Sequence, residues 1–308
     1  MNFVLPTNRA DHHLLSSRTL IIVRTAYRCR SRLNFLLKSW IPTKIEQQRK
    51  NIYLLTDVDI TGRTYTEFSN VILTQCSGTH DLLDLCCKTA HEFELYYNLT
   101  EKNYSGFDWM CRFDDDQYVN LNNLYKYLDN FNASIPFYIG CTHTEPILKV
   151  PEDPSRTFPY AIYGGGVCYS KAMLKKMRHF VNKKSMPSLC QRVNFVDDMC
   201  LGYICVVKCN TSMTIINERF HAHVEKVNES FHQWDLDKLA DMITVGFSSF
   251  VYPMNRMLLF HHLIQLQKSD TNSLYLISNL LWNLQREYEA SHLQNIVRVA
   301  HNEGTCRN

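Results

Sequence analysis

The chain has 308 residues, 45% hydrophobic and 20% charged, with 33 Lys and Arg against 30 Asp and Glu and a formal net charge of +3. That length and composition exclude a disordered chain and allow one large or two small buried cores. A charge so near balance offers no basis for a nucleic-acid partner, and no window approaches the roughly 20 apolar residues that span a bilayer.

Leu20-Ile21-Ile22-Val23 is a β-branched run that predicts a buried strand. An Arg-rich turn follows. Ser31 to Trp40 then carries apolar residues at Leu33, Phe35, Leu36, Leu37 and Trp40, which suits a helix. Ile52-Tyr53-Leu54-Leu55, closed by Thr56-Asp57, is a second strand, and Val71-Ile72-Leu73 a third. Asp81 to Asn98 predicts a helix with Leu82, Leu85, Ala90, Phe93 and Leu95 inward. Trp109 to Phe113 is the next strand, Leu121 to Phe131 a helix, and Phe137-Tyr138-Ile139-Gly140 another strand. Ala161 to Tyr169 holds Gly164-Gly165-Gly166, which either lets backbone approach a ligand or makes a plain turn or bulge. Beyond Pro253, Met257 to Leu266 and Ser273 to Leu284 are apolar and helical, and the 273–298 region reads as an ordinary packed helix pair. Strands alternating with helices predict an α/β fold with a mostly parallel sheet, whose ligands bind at the strand carboxyl ends.

One such strand end carries Asp114-Asp115-Asp116. Three like charges so close recruit a cation, and Mg²⁺ or Mn²⁺ carrying a diphosphate fits, since such ions take one or two carboxylates and complete their shell with phosphate oxygens. Alone, a solvated acidic turn would be the better reading. Two later features share its character. Val196-Asp197-Asp198-Met199 puts two carboxylates before an apolar run, where either could be a general base or Asp197 a helix cap or salt-bridge partner. Phe220-His221-Ala222-His223 puts two imidazoles at i, i+2, on one side of a strand.

Twelve cysteines with no Cys-x-x-Cys pair give little support to structural zinc. Five Asn-x-Ser/Thr sequons begin at Asn98, Asn103, Asn132, Asn210 and Asn228. Sequons and cysteines together fit a secretory lumen. Met1 to Ser17 is polar and lacks the apolar core of a signal peptide.

Taken together, Ser31-Arg32-Leu33 through Trp40, Leu55-Thr56-Asp57, Cys76 through Cys87-Lys88, Trp109 to Asn120, Gly164 to Ser170, Asp197 to Ile204, Phe220 to His223 and Ile243 to Phe247 run in the order and spacing of the Fringe family. The chain resembles these β1,3-N-acetylglucosaminyltransferases from about Leu20 to Arg256. The resemblance implies a GT-A glycosyltransferase domain over 19–256, an N-terminal segment over 1–18, and a helical C-terminal extension over 257–308. It implies Mn²⁺ held by Asp116 and His223, donor contacts from Arg32, Asp115, Thr56, Asp57, Gly164, Gly165 and Gly166, and Asp198 as catalytic base. It implies disulfides Cys76–Cys87 and Cys111–Cys168. The partners would be a UDP-sugar donor and an O-fucosylated EGF-repeat glycoprotein of the Notch type. The location would be the Golgi, reached through a membrane anchor that this sequence does not display. Met199-Cys200 departs from the family's Cys-Thr, and the single Cys306 from its disulfide-closed tail. A related β1,3-galactosyl- or glucosyltransferase, a catalytically inactive binding subunit, and a cytosolic metal-dependent phosphohydrolase are the competing readings.

Overall fold

The computed structural model describes residues 16–41, 50–57, 70–102, 106–143, 148–222, 241–247, 254 and 256–267. Strand β1 (Thr19–Arg24) is buried along its whole length, as expected for the centre of a parallel sheet covered on both faces. A 3-10 turn (Tyr27–Arg32) leads into α1 (Leu33–Lys38), so the helix predicted from Ser31 opens as a tighter coil. Next come β2 (Ile52–Thr56), β3 (Val71–Leu73), the 21-residue α2 (Leu82–Lys102), β4 (Trp109–Asp114), β5 (Gln117–Val119) and α3 (Leu121–Leu128). Asn120 caps α3, its side chain accepting the backbone N–H of Asn123.

After β6 (Tyr138–Gly140), strands β7 (Leu148–Val150) and β8 (Asp153–Phe158) form an antiparallel ribbon, which the sequence had not suggested. A 3-10 turn (Tyr163–Gly165) then enters β9 (Val167–Ser170). Helices α4 (Lys171–Met177), α5 (Ser185–Val193) and α6 (Asp197–Gly202) follow, the last running on into a π-helical turn (Tyr203–Lys208). Strands β10 (Met213–Ile215), β11 (Phe220–His221) and β12 (Thr244–Gly246) and helix α7 (Arg256–Gln267) complete the described elements.

The central sheet has seven strands in the order β10-β6-β9-β4-β1-β2-β3. Strand β9 runs against both neighbours, β4 and β6, and the other pairings are parallel. The fold is α/β with a mostly parallel sheet flanked by helices. Alternation along each strand splits the core in two. Ile21, Val23, Ile52, Leu54 and Phe113 face α1, α3 and α7. Leu20, Ile22, Leu55 and Met110 face α2, α4, α5 and α6. Met257, Phe260 and Ile264 of α7 belong to the first of these clusters, so the start of the expected C-terminal extension is core. The stretch 273–284 and the rest of that extension lie outside the described residues. Among the described residues no helix is long and apolar enough to cross a membrane.

Among the described residues three disulfides brace this frame. Cys111–Cys168 joins directly paired positions of β4 and β9, and Cys76–Cys87 ties the approach to α2 onto that helix. Cys86–Cys190, unassigned from the sequence, links α2 to α5. Cys29 is also disulfide-bonded, while Cys200, Cys205 and Cys209 are buried free thiols.

Candidate active site

Register places Arg24 of β1 directly beside Asp114 of β4, both at strand carboxyl ends. Asp115 and Asp116 then form the turn between β4 and β5, where the chain leaves the central sheet for a three-stranded one of order β11-β12-β5. Backbone and side-chain bonds fix this turn from three directions. Gln117 Oε1 accepts the Asp114 N–H at 2.6 Å, Gln117 Nε2 donates to the Gly164 carbonyl at 2.6 Å, and the Phe247 N–H donates to the Asp116 carbonyl at 2.7 Å.

A cavity of about 290 Å³ opens there. Its acidic wall holds Asp114, Asp115, Asp116, Asp197 and Asp198, and its cations are Arg24, Arg32, Lys88 and Arg112. Arg32 Nη1 donates to Asp115 Oδ1 and to Asp116 Oδ2, each at 2.9 Å. Thr25 Oγ1 donates to the second Asp115 oxygen at 2.7 Å. Both Asp115 oxygens are thus anchored, whereas Arg32 holds one oxygen of Asp116. Burial pushes the Asp116 carboxyl up to about 7, Arg32 opposing and Asp114 and Asp115 adding to the rise. One guanidinium shared between Asp115 and Asp116 does not neutralise the two, and all-oxygen donors of this kind fit a hard divalent cation. The other metal-like grouping, Cys76, Cys87 and His91, includes a disulfide and so offers no thiolates.

Beneath the cavity runs a buried chain of alternating charge. Asp197 Oδ2 accepts from Arg24 Nη1 at 2.6 Å, Arg24 Nε donates to Glu92 Oε1 at 2.6 Å, Arg112 Nε meets that same oxygen at 3.5 Å, and Arg112 Nη2 donates to Asp114 Oδ1 at 2.6 Å. Thr89 Oγ1 adds a bond to Asp197 Oδ2 at 2.9 Å, and Arg112 lies over the Tyr163 ring at 3.9 Å. The chain joins α6 to β1, α2 and β4. Buried charges persist only when paired in this manner.

That chain separates the two neighbouring aspartates at the start of α6. Burial raises the Asp197 carboxyl, but Arg24 and Arg112 outweigh it and hold the group below its ordinary range. Asp198 is pushed up to about 7, by burial first and then by the Asp197 charge, although the Met199 N–H donates to its Oδ1 at 2.7 Å. Asp197 is the ion-pair partner and Asp198 the carboxyl free to exchange a proton near neutrality.

The remaining sequence-derived positions divide. Gly164 lines the cavity, but Gly165 and Gly166 face protein: a Cβ on Gly165 would lie 2.0 Å from Cys141 Sγ, and one on Gly166, at φ +86°, 2.6 Å from the Phe113 ring. Thr56 is buried at the end of β2, and Asp57 accepts the Tyr27 N–H at 2.8 Å; neither lines the cavity. His221 is buried on β11 with its Nε2 unpartnered, and burial lowers its pKa. His223 lies outside the described residues.

Sequence reasoning passed over Arg24, Glu92 and Arg112. Glu92 gives the one visible signal, since it interrupts the inward stripe of α2 between Ala90 and Phe93 and is fully buried.

Fold and cavity define an α/β protein that sets a carboxylate turn, matched cations and a near-neutral carboxyl around one strand-end site. The Fringe-like family model matches residues 15–276, and the chain belongs to that family. It is 29% identical over 202 residues to the Fringe glycosyltransferase of Drosophila melanogaster, covering 63% of this chain and 46% of that protein. It is 26% identical over 256 residues to the β-1,3-N-acetylglucosaminyltransferase lunatic fringe of Xenopus laevis, covering 81% of this chain and 64% of that one. Against lunatic fringe of Danio rerio the figures are 30% over 210 residues, 65% and 52%. The chain thus spans roughly half to two thirds of these relatives' length. Among solved structures, the glycosyltransferase GlyE of Streptococcus pneumoniae aligns with a TM-score of 0.46 at 13% identity, over 87% of this chain and 63% of that one.

Proposed function

We propose that this chain is an inverting GT-A glycosyltransferase that uses Mn²⁺ and moves N-acetylglucosamine from UDP-GlcNAc, in β1,3 linkage, onto O-linked fucose of EGF-like repeats. The observation that carries the reading is the convergence of Arg32, Asp115, Asp116 and Asp198 on one cavity, in a chain of the Fringe-like family. The relatives' names supply the donor sugar and linkage. Asp116 would hold the metal, with His223 as the second protein ligand. A bound Mn²⁺ would supply Lewis-acid neutralisation of the diphosphate leaving group.

The chain's own groups supply the remainder. Asp115, held by Thr25 and Arg32, is oriented to accept hydrogen bonds from the donor, and Arg32 presents a planar cation to it. Asp198 takes the proton from the acceptor hydroxyl as that oxygen attacks the anomeric carbon and the bond to diphosphate breaks. A single displacement inverts the centre, and neither Asp197 nor Asp114 is free to act as a nucleophile, each being ion-paired. A secretory, Golgi location goes with this reading, which the buried disulfides suit.

The test is incubation with an O-fucosylated EGF repeat, Mn²⁺ and a panel of UDP-sugars, read by mass. Addition of one N-acetylhexosamine from UDP-GlcNAc is the expected result. Preference for UDP-galactose or UDP-glucose would replace the donor assignment.

A further inference from the structure

We propose that the basic face of α4 and the turn behind it, together with the cleft this turn shares with α2, binds a sulfated polysaccharide. The near-balanced charge of the whole chain conceals a strong local bias. Between Asp153 and Asp197 there are eight Lys and Arg and no acidic residue, so the remainder of a chain of net charge +3 is acidic. Six of the eight, Lys171, Lys175, Lys176, Arg178, Lys183 and Lys184, fall in α4 and the following turn, and all six are exposed. Lys171, Lys175 and Arg178 stand at i, i+4 and i+7. Arg178 is still helical where α4 ends, so the three form one stripe with neighbours about 5–6 Å apart. Helix α4 begins at the edge of the sheet opposite the strand-end cavity. Ser170 pairs with Trp109 at the start of β4, and the Lys171 N–H donates to the Asp108 carbonyl at 2.7 Å. The basic face is therefore separate from the candidate active site.

The stripe runs into a cleft of about 380 Å³ between α2 and the turn before α5. There Arg178 lies over the Tyr97 ring at 5.1 Å, and the Tyr97 hydroxyl fixes that ring by donating to the Leu174 carbonyl at 2.7 Å. Asn98 and Asn182 add amides to the lining, and Asn182 Oδ1 holds the turn by accepting the N–H groups of Lys184 and Ser185 at 3.1 and 3.0 Å. Two carboxylates face these cations, Glu101 against Arg178 and Glu94 against Lys183, but the four side chains are 37–56% exposed. Exposed ion pairs of this kind are weak and yield to a competing polyanion. Lys171, Lys175 and Lys184 have no carboxylate partner among the described residues. A fixed ring, two amides and a row of cations suit a sugar chain with recurring sulfates: the ring takes a C–H face, the amides take hydroxyls and the cations take the anionic oxygens. A membrane fits less well, because none of the large apolar side chains exposed among the described residues, Tyr27, Leu73, Leu83, Ile135 and Ile215, lies in 171–184 or lines the cleft. The disulfides suit an oxidising compartment, where sulfated glycans rather than nucleic acids are the available polyanions.

The experiment is calorimetric titration of the full chain with a size-defined heparin octasaccharide at about 0.15 M salt, beside an oligoglutamate and a single-stranded oligonucleotide of equal charge. Wild type should bind the octasaccharide at least roughly tenfold more tightly than either comparator. The triple variant Lys171→Gln, Lys175→Gln, Lys184→Gln should weaken that binding roughly ten- to a hundredfold and flatten its salt dependence, and Arg178→Gln should weaken it less. A control triple at exposed lysines elsewhere, Lys50→Gln, Lys126→Gln, Lys149→Gln, should bind as wild type does. Circular dichroism reports folding, and if the first triple fails to fold, Lys175→Gln with Lys184→Gln decides. No binding by wild type, equal losses in the two triples, or an undiminished affinity in the first overturns the surface. Equal affinity for oligoglutamate or for the oligonucleotide overturns its assignment to a sulfated sugar. None of these readings involves sugar transfer, so the result is independent of the transferase reading.

Discussion

Asp197 and Asp198 are adjacent, of one type and on one helical turn, yet their surroundings drive them in opposite directions. A base must be deprotonated to work, so the transfer rate should rise with pH and level off above a midpoint of about 7, set by Asp198. The stability sign is the reverse. A carboxyl whose folded pKa is raised binds its proton more tightly when folded, so its contribution is present below the ordinary carboxylate range and is lost as pH rises to about 7. Asp198→Asn should therefore abolish transfer while raising the melting temperature at pH 8 more than at pH 5, measured by thermal denaturation. Asp197, held low, makes the opposite contribution: present at neutral pH and lost only on acidification through its depressed value. Residue types and spacing made the pair legible in the sequence; which of them is free depended on Arg24, Thr89 and Glu92, whose bonds to one another and to Asp197 span 65 or more positions.

At the scale of elements, the strands that could be read directly, β1 to β4 and β6, are apolar runs. The reversal of β9 could not be read, because strand direction follows from where the preceding loop delivers the chain. Cys86–Cys190 was hidden for a similar reason, spanning 104 residues between two helices. The glycine segment was visible, but its use is mainly close packing of the loop beneath β4 and against Cys141. Elements α6, β1, α2 and β4 meet through Glu92, whose single oxygen Oε1 separates two buried guanidinium groups. Glu92→Ala leaves Arg24 and Arg112 facing each other without it, and should cost about 3–5 kcal/mol of stability in chemical denaturation. Glu92→Gln, which keeps the oxygen but not the charge, should cost less.

Across the whole molecule, the two half-cores hold the sheet from either face while its carboxyl edge stays open to the cavity. Strand–helix alternation pointed to the α/β fold, and family resemblance at the level of sequence to Cys76–Cys87 and Cys111–Cys168 and to the four cavity residues. Beneath those four lies a charge network with no local signature, assembled from separate elements only on folding. The central claim is that this cavity divides its labour, Asp116 for the metal and Asp198 for the proton. The direct measurement is UDP-GlcNAc binding with Mn²⁺, alongside transfer, in wild type, Asp116→Ala and Asp198→Asn. Asp198→Asn should keep Mn²⁺-dependent binding and lose transfer, and Asp116→Ala should lose both. Equal loss of binding in the two variants, or transfer surviving in Asp198→Asn, would contradict it.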